Sequence, residues 1–521
     1  MTADLESLIT KDGKNEVYMA AWYNGKESNI FDLTQFKNSN AMLSAFWFDL
    51  ISNNRGATLY FHNWAGYDSI LSLLPLFNLH EHGFTFNPVM QDGQLISLTI
   101  FQRVKDKRTT VLTIKDSLKL IPGALSILAK DFQVETQKDH FPHYFNPIEL
   151  HGSLNWTGPI PEYQYFEPKR TTPADYAGML KEFKDKDWNF LKVSKKYILS
   201  DVLAQYQIII KFFKTLKSEF PINPIKNLSI PGLAFTTWKT VQLPLLNKDG
   251  FKVYDLSRSS DPLFREAYLG GIVDVYKPHL IGKAYYYDVN SLYPFAMCQP
   301  MPVGIPTPLS LTPNEFKEGS FFGFLEATIQ APSSETPAGY IGLLPIKLNG
   351  RVICPGGVFS GSFFSEELQF ALQNGYELLQ IGKAFSFQRG DNTFKALIER
   401  FNLIKINAQL DGRPVLRQIS KLIMNSLYGR FGMHTPELQF AILKHQEFLE
   451  IMNDYLVLDN VTLGDLELVT YALDKSLLNF EDNKEIIRLR KFLKGIPGQT
   501  NVPIEIVLFL VSCNISFPPY R

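Results

Sequence analysis

Apolar residues form short runs and periodic stretches along the first 235 residues, and each pattern predicts a structural element. Continuous apolar and aromatic runs over residues 16–23 and 58–61 predict buried strands. Apolar positions at helical spacing predict a long helix from about Leu191 to Glu219 and a shorter one over Ser69–Phe77. The mixture of strands and helices predicts an α/β fold divided among several domains.

The second half of the chain alternates strand-like and helix-like stretches. The three aromatic residues Tyr285–Tyr287 suit a buried strand, which should end near Asn290 because Pro294 cannot continue a central strand. Phe321–Gln330 predicts another strand, and Glu366–Gly375 predicts a helix. We therefore expect a second α/β region after the first.

Residues 135–176 interrupt this regular pattern. They are rich in Pro, His, Asn and aromatic residues and show no periodicity. A stretch of this kind predicts a long surface loop, inserted over the cleft of the first region.

Composition restricts the classes of function. The chain has 521 residues, of which 45% are hydrophobic and 20% charged, and its formal net charge is zero. Any affinity for nucleic acid must therefore come from local basic surface. The three cysteines have no metal-ligand spacing, which favours a reducing compartment. No stretch predicts a signal peptide, a transit peptide or a membrane span.

Acidic residues recur beside the predicted elements of the first region. Asp4 and Glu6 lie two apart, so a strand would project both side chains to one side. Asp68 precedes a predicted helix, where an N-cap role explains it equally well. Tyr197 and Asp201 share one face of the long helix, where a solvent-exposed pair is the alternative. Carboxylates grouped in this way hold divalent cations in two-metal sites.

A different chemistry is predicted on a helix over residues 421–432. One face of that helix would present a cation, an amide, an aromatic ring and a glycine, from Lys421, Asn425, Tyr428 and Gly429. The opposite face is apolar and should pack inward, with Leu422, Ile423 and Leu427. The polar face suits a nucleoside triphosphate, although a solvated stripe is the alternative. Asp288, at the end of a predicted strand, either offers a carboxylate to a metal or is simply a surface residue.

Two strings of residues carry a family resemblance. Asp288-Val289-Asn290-Ser291-Leu292-Tyr293-Pro294 resembles motif A of family B DNA polymerases, and KLIMNSLYGRFG, from Lys421 to Gly432, resembles their motif B. The carboxylates of the first region resemble the three exonuclease motifs of the proofreading domain in the same family. The spacing of more than 120 residues between the two strings resembles the protein-primed subgroup.

This resemblance implies an α/β, multi-domain fold. An RNase H-like exonuclease domain would be followed by a polymerase palm with fingers, and the thumb would be missing. The implied divisions are 1–235 for the exonuclease, 236–280 for a linker, 281–400 for the palm with an insertion, 401–435 for the fingers and 436–521 for an incomplete return to the palm.

The resemblance also implies roles in a nuclease site. Tyr197 would orient the attacking water, Asn63 would contact the 3′ end of DNA, and Ser117 with Leu118 would bind single-stranded DNA, although a plain strand-to-helix turn also explains the last pair. The implied cofactors are two Mg²⁺ or Mn²⁺ ions, and their implied ligands are Asp4, Glu6, Asp68 and Asp201. Only three residues precede Asp4, so we expect its strand to be clipped and to hold the ligands poorly.

In a polymerase site the resemblance implies further roles. Asp288 would bind both catalytic metals, the Val289 backbone would contact the phosphates, and Tyr293 would exclude a 2′-hydroxyl by steric overlap. The other implied nucleotide-binding residues are Lys405, Lys421, Asn425 and Tyr428. The implied DNA-binding residues are Tyr268 and Gly271 of a Tyr-x-Gly-Gly element, together with Gly429.

One expected motif is not found in the sequence. Family B polymerases carry a Tyr-x-Asp-Thr-Asp hairpin whose second Asp would be the partner of Asp288, and Tyr471–Asp474 is only loosely similar. We therefore expect a chain truncated or frameshifted before this motif and the thumb, with very low polymerisation. A metal-dependent exonuclease and a non-catalytic DNA-binding remnant are the alternatives.

The partners and the compartment follow from the resemblance alone. It implies primer-template DNA, single-stranded DNA, deoxynucleoside triphosphates and a terminal protein as partners of a monomer that does not contact membranes. A mitochondrial location is implied by the linear plasmids that encode similar polymerases.

Overall fold

The computed structural model describes residues 1–104, 107–136, 140–168, 171–184, 187–252, 254, 260–433 and 438–472. These residues form two compact units. The first unit contains residues 1–219, 223–229 and 438–472, and the second contains residues 220–222 and 230–433. Among the described helices, none is both long and apolar enough to cross a bilayer.

The first unit is built on a seven-stranded mixed sheet. Its strand order is β3-β2-β1-β4-β7-β6-β5, with β4 parallel to both β1 and β7 and the other neighbours antiparallel. The elements are β1 Thr2–Ile9, β2 Asn15–Tyr23, β3 Ser28–Asp32, α1 Ser39–Asn53, β4 Ala57–Phe61, α2 Asp68–Phe77, β5 Phe84–Gln91, β6 Gln94–Val104, β7 Lys107–Asp116, α3 Ser117–Leu120, α4 Leu125–Asp131, α5 Pro147–His151, β8 Thr157–Gly158, α6 Pro173–Glu182, β9 Trp188–Asn189 and α7 Phe190–Glu219.

Two apolar clusters form the core of this unit. One joins the sheet to α1 and α2 and contains Phe46, Trp47 and Phe61 among its buried residues. The other joins β2 to α7 and contains Tyr18 and Ile198. The predicted strands over residues 16–23 and 58–61 and the predicted long helix are confirmed within a residue of their expected ends.

The predicted surface loop at residues 135–176 is wrong. Phe141, Phe145 and Leu154 are buried, and they pack with Trp188 and Phe190 in the second of these clusters. Alternating buried aromatic residues in short elements leave no helical or strand period, so the pattern of this segment in the sequence resembled that of a loop.

The second unit contains a four-stranded antiparallel sheet of order β10-β15-β11-β14. A helical run begins it, in which a π-helix, Trp238–Gln242, separates two α-helices. Its elements are α8 Ile230–Thr237, α9 Leu243–Lys248, α10 Asp261–Glu266, α11 Leu292–Met297, β10 Met301–Leu309, α12 Pro313–Glu318, β11 Gly323–Gln330, α13 Pro337–Ile341, β12 Ile346–Leu348, β13 Arg351–Ile353, β14 Val358–Phe364, α14 Ser365–Gln373, β15 Glu377–Gly390, α15 Lys395–Leu410 and α16 Pro414–Phe431.

Helix α16 contains the predicted helix at residues 421–432. Lys421 and Asn425 are exposed, whereas Ile423 and Leu427 are buried and Leu422 is half-buried. The predicted polar and apolar faces are therefore confirmed.

The predicted buried strand at residues 285–290 is wrong. This segment forms no strand, and the side chains of Tyr285, Tyr286 and Tyr287 are 76%, 94% and 88% exposed. A strand needs a neighbour to satisfy its backbone, and no described strand pairs with residues 271–290.

Residues 438–472 fold as a small antiparallel sheet of order β16-β18-β17 with one helix. Ile442 and Leu466 join the core cluster of the first unit. One boundary between the compact units falls between residues 433 and 438, where the sequence analysis also placed a division, and residues 438–472 belong to the first unit. The functional labels of the predicted domains stay predictions. The elements are β16 Leu438–Lys444, α17 His445–Asp454, β17 Leu456–Leu463 and β18 Leu466–Ala472. Of the missing-motif region, Tyr471 lies in β18, and residues 473–521 lie outside the described residues.

Candidate functional site

Three carboxylates meet on one face of the seven-stranded sheet. Asp4 and Glu6 project from β1, and Asp201 projects from α7. One oxygen from each lies within 4.8 Å of the others, a spacing that allows all three to bind one cation. Asp4 and Glu6 are half-buried and Asp201 is buried, so the cluster opens to solvent on the side of the strand.

The sheet and the helix fix this cluster in place. Strand β1 pairs with β2 along its whole length, and its first residues also lie beside β4. The Thr2 hydroxyl donates a 2.7 Å hydrogen bond to the Val202 carbonyl, next to Asp201. Strand β1 starts at Thr2 and runs for eight residues through Asp4 and Glu6, and the expectation that it holds these ligands poorly stays a prediction.

Asp68 lies beside the same strand. It is the first residue of α2 and not its N-cap, which is Tyr67, so the N-cap alternative is wrong. Burial, and then the negative charge of Asp4, raise the pKa of Asp68 well above its usual range. Its side chain is 2% exposed, and its buried Oδ1 has no hydrogen-bond partner within the protein.

These residues fit a divalent cation. The four donors are all carboxylates, which is the set that Mg²⁺ and Mn²⁺ prefer. A buried oxygen without a partner costs free energy, and a bound cation would remove that cost at Asp68. The structure thus brings the four predicted metal ligands to one region, and their role stays a prediction.

Tyr197 shares the face of α7 that carries Asp201, as predicted. Its side chain is 1% exposed, and its ring packs 4.8 Å from that of Phe141 and 5.6 Å from that of His143. These aromatic contacts come from the segment that the sequence wrongly predicted to be a surface loop.

Asp116, which we did not single out from the sequence, organises the loop between β4 and α2. Its carboxylate accepts hydrogen bonds from the backbone N–H groups of Asn63, Ala65 and Leu118, at 3.0, 3.1 and 2.8 Å. Asn63 adopts a left-handed backbone with φ 85°. An Asp directly before a helix is an N-cap signal, and it was available in the sequence.

Ser117 is engaged within the protein. Its hydroxyl is buried, donates to the Phe61 carbonyl at 3.0 Å, accepts from the Gln205 amide at 2.9 Å and lies 3.0 Å from His62 Nδ1. The side chain therefore joins β4, α3 and α7, and the neighbouring Leu118 is half-buried.

Tyr67 is a second residue that the sequence analysis missed. Its hydroxyl lies 2.5 Å from the Ser7 hydroxyl. Burial raises the pKa of Tyr67, and the charges of Glu6, Asp68 and Asp4 act in the same direction. This tyrosine therefore stands at the edge of the carboxylate group, although its position in the sequence gives no signal of that contact.

In the second unit, residues from three predicted motifs meet. The rings of Tyr293 and Tyr428 stack in parallel, with centroids 4.2 Å apart and planes 4° apart. Burial and the neighbouring Tyr293 raise the pKa of Tyr428 to about 12. Burial and Tyr293 likewise raise the pKa of Tyr268, so that this tyrosine belongs to the same group.

Charged and open positions surround this tyrosine group. Lys405 Nζ lies 3.5 Å from the hydroxyl of Ser291, which has a left-handed backbone. Lys421 and Asn425 are exposed on α16, and a Cβ atom added at Gly429 would meet no neighbouring residue. This face of α16 can therefore accept a ligand with a phosphate and a planar ring.

The remaining predicted residues lie on an exposed segment. Asp288, Val289 and Gly271 are all exposed, between α10 and α11, where no strand forms. The structure therefore joins motif A to motif B through the stack of Tyr293 on Tyr428, and joins motif A to α15 through Lys405. Asp288 is not held in a sheet.

Comparison with known proteins places the chain in a family. The family model of type B DNA polymerases from organelles and viruses matches residues 49–495, and the chain belongs to this family. The family resemblance predicted from the sequence is thereby confirmed.

Several relatives show the extent of the similarity. A probable DNA polymerase of Ascobolus immersus is 32% identical over 472 residues, covering 89% of this chain and 37% of that protein. A probable DNA polymerase of Neurospora intermedia is 30% identical, covering 85% and 46%. The DNA polymerase of Bacillus phage phi29 is 24% identical, covering 78% and 63%. The chain thus spans less than two thirds of each of these relatives.

Solved structures show the same fold. Phi29 DNA polymerase complexed with single-stranded DNA matches with a TM-score of 0.61 and 18% identity, over 98% of this chain and 74% of that one. Its complex with primer-template DNA and incoming nucleotide substrates matches equally well, with a TM-score of 0.61. The predicted α/β fold class is therefore confirmed.

Proposed function

We propose that this chain acts in DNA replication as a DNA-directed DNA polymerase of the protein-primed type. The observation that carries this proposal is the stack of Tyr293 on Tyr428, because it brings motif A and motif B to one surface. Lys405 and the exposed Lys421 add positive charge to the same elements. Family membership supports the assignment independently.

The residues of this surface suit the binding of a deoxynucleoside triphosphate. Lys421 and Lys405 would contact the phosphates, and Asn425 would donate a hydrogen bond. Tyr428 would stack near the base pair, Tyr293 would lie beneath the sugar, and Gly429 would leave room for the base. Bound Mg²⁺ at Asp288 would neutralise the charge that develops during phosphoryl transfer.

Binding of a nucleotide directed by the template tests this proposal without requiring catalysis. A primer-template with a dideoxy 3′ end should allow the chain to retain the complementary nucleotide more tightly than the other three. Equal retention of all four would contradict the proposal. A polypeptide of residues 1–521 contains no Tyr-x-Asp-Thr-Asp sequence, so we expect this polypeptide to extend a primer at a very low rate, and extension that Asp288→Ala abolishes would contradict that expectation.

A metal-dependent 3′–5′ exonuclease is the second function that we propose. The observation that favours it is the group of Asp4, Glu6 and Asp201, with the buried Asp68 beside it. Asn63, Ser117, Leu118 and Tyr197 come from the loops and helices around this group. The chain should shorten single-stranded DNA from the 3′ end in Mg²⁺ or Mn²⁺, and a folded chain without cleavage would contradict this function.

The relatives support finer features of this proposal. Solved structures of phi29 polymerase contain single-stranded DNA or primer-template DNA with nucleotides, and we propose the same ligands here, with Tyr268 and Gly271 near the template. A terminal protein as primer, replication of plasmid DNA, a mitochondrial location and a monomeric state complete the proposal. Salt-sensitive DNA binding without any chemistry would instead indicate a non-catalytic remnant.

A further inference from the structure

We propose that Trp238 and Gln242 are positioning residues that set the affinity of the second unit for nucleotide. This inference rests on the proposed polymerase function. Both residues belong to the π-helix Trp238–Gln242, and both are buried, at 2% and 1% exposed. A π-helix is rare and is frequently found at functional sites.

The π-helix directs two side-chain donors to one turn. Trp238 Nε1 donates to the Thr393 carbonyl at 3.0 Å, and Gln242 Nε2 donates to the Asn392 carbonyl at 2.8 Å. These two consecutive carbonyls lie between the end of β15 at Gly390 and the start of α15 at Lys395. The two donors therefore fix the point where the helix pair α15–α16 leaves the sheet.

The same tryptophan also contacts both ends of the helix pair. Its ring lies 6.0 Å from that of Phe394, which precedes α15, and 5.1 Å from that of Phe431, which ends α16. Phe394 and Phe431 are in turn 5.0 Å apart, and Phe235 closes the cluster at 5.3 Å from Phe431. Such aromatic clusters hold their members in a narrow range of geometries.

This cluster is one helical turn from the proposed nucleotide surface. Tyr428, which stacks on Tyr293, is three residues before Phe431 on α16. A small rotation of α16 at its end would therefore change the stack and the direction of Lys421. Among the hydrogen bonds and ring contacts of the described residues, those of Trp238 and Gln242 go to the turn before α15 and to aromatic residues outside the proposed nucleotide site. We therefore expect these two residues to act through the orientation of α15 and α16.

Loss of either donor should weaken nucleotide binding without weakening DNA binding. In Trp238→Phe and Gln242→Met the volume is largely kept while one hydrogen bond is lost. We expect each variant to raise the Kd of the complementary nucleotide by roughly threefold, and the double variant by roughly tenfold. The measurement is equilibrium binding of the nucleotide to the complex with a dideoxy-terminated primer-template.

Tyr376→Phe is a matched control in the same unit. Tyr376 lies directly before β15 and belongs to a core cluster, and its hydroxyl accepts a partly buried hydrogen bond from the Leu343 N–H at 2.9 Å. This variant also loses one hydrogen bond of a core residue, yet its nucleotide Kd should stay within about twofold of the original. Exonuclease rate and DNA affinity should be unchanged in all of these variants.

A spectroscopic measurement tests the coupling directly. Trp238 is the one tryptophan of the sequence after residue 188, so 5-fluorotryptophan labelling gives six signals, of which Trp238→Phe identifies one. Complementary nucleotide should shift that signal, and a shift of equal size should not follow from a mismatched nucleotide.

The outcomes separate this inference from the function on which it rests. Tyr428→Ala must weaken nucleotide binding in the same assay if the proposed site is right. If Tyr428→Ala weakens nucleotide binding while both Trp238→Phe and Gln242→Met bind nucleotide normally, the positioning role is overturned and the proposed polymerase function is not. If the unchanged chain shows no preference for the complementary nucleotide, both the proposed polymerase function and this inference are overturned. If Trp238→Phe does not fold, Gln242→Met decides the question by itself.

Discussion

The two candidate sites are assembled in different ways. In the first unit, carboxylates as distant in the sequence as Asp4 and Asp201 are held by a strand inside a sheet and by a long helix packed on it. In the second unit, Tyr293 and Tyr428 are held by helix packing, while Asp288 lies on an exposed segment that pairs with no described strand. The sheet therefore holds the carboxylates of the candidate metal site close together, whereas the two helices position only the tyrosine stack of the candidate nucleotide site.

The largest expected effect concerns the preorganised site. If the carboxylates bind the proposed cations, Asp201→Asn should lower the rate of 3′ cleavage by roughly a thousandfold, because it would remove a charged ligand from that site. The rate is measured on labelled single-stranded DNA in Mg²⁺ and in Mn²⁺. Asp92→Asn, in the exposed turn between β5 and β6, should leave it unchanged.

Retention of the rate in Asp201→Asn would break the comparison. The cluster of carboxylates would then have a structural role only, and the first unit would not contain a better positioned catalytic site than the second. Binding of Mn²⁺ should likewise be weakened in Asp201→Asn and unchanged in Asp92→Asn.

The next largest effect concerns the helix-built site. Tyr428→Ala removes the ring that stacks on Tyr293, and we expect the Kd of the complementary nucleotide to rise about tenfold. Tyr428→Phe keeps the ring and should stay close to the original affinity. Tyr340→Ala, at an exposed tyrosine of the same unit, is the control for loss of an aromatic side chain.

If Tyr428→Phe and Tyr428→Ala weaken binding equally, the hydroxyl matters and the stack does not. The helix pair would then bind the nucleotide through hydrogen bonding, and the surface around Tyr268 and Tyr293 would need a different interpretation.

A third effect tests how well the sheet of the first unit excludes water. Lys115 is buried in β7, its ammonium group donates to the Ile225 carbonyl, and burial lowers its pKa from 10.5 to about 8. Below about pH 8 the folded state carries a buried charge on Lys115, which lowers the free energy of unfolding. Above about pH 8 the folded state loses this proton while the unfolded state keeps it, so the free energy of unfolding rises until the pH reaches the pKa of the unfolded state. Stability should therefore increase with pH by about 2 kcal/mol between about pH 8 and about pH 10.

Lys115→Met should lack this increase. The measurement is the free energy of unfolding by urea across the same range of pH. Lys107→Met, at an exposed position of the same strand, should keep the slope of the original chain. If the free energy of unfolding depends on pH with the same slope in all three proteins, water reaches Lys115. The sheet would then exclude water less well than the burial of Lys115 indicates.

The sequence predicted those features that depend on local periodicity. Helix α7, the strand β2 and the two faces of α16 follow from the spacing of apolar residues along one element. The shared side of Asp4 and Glu6 follows from the two-residue period of a strand. Family motifs then indicated which polar residues to consider, and the structure brought most of them together.

Features that depend on distant partners were missed or were wrong. The packing of Phe141 and Phe145 against α7 depends on residues more than forty positions away, and no local period reveals it. The hydrogen bonds of Asp116 and the place of Tyr67 depend on the meeting of three segments. The strand expected at residues 285–290 needs a neighbouring strand, which local propensity cannot supply.

The smallest expected effect tests whether residues 285–287 are exposed or form a buried strand. Tyr286 is 94% exposed, so Tyr286→Ser should change the free energy of unfolding by less than about 0.5 kcal/mol. If residues 285–287 instead form the buried strand that their composition predicts, the same substitution should cost about 3 kcal/mol or more. Tyr376→Ser, at a buried tyrosine of the same unit, provides that larger value as a reference. A cost at Tyr286 that approaches the cost at Tyr376 would mean that the segment carrying Asp288 is held in a sheet after all, and the two sites would then be assembled alike.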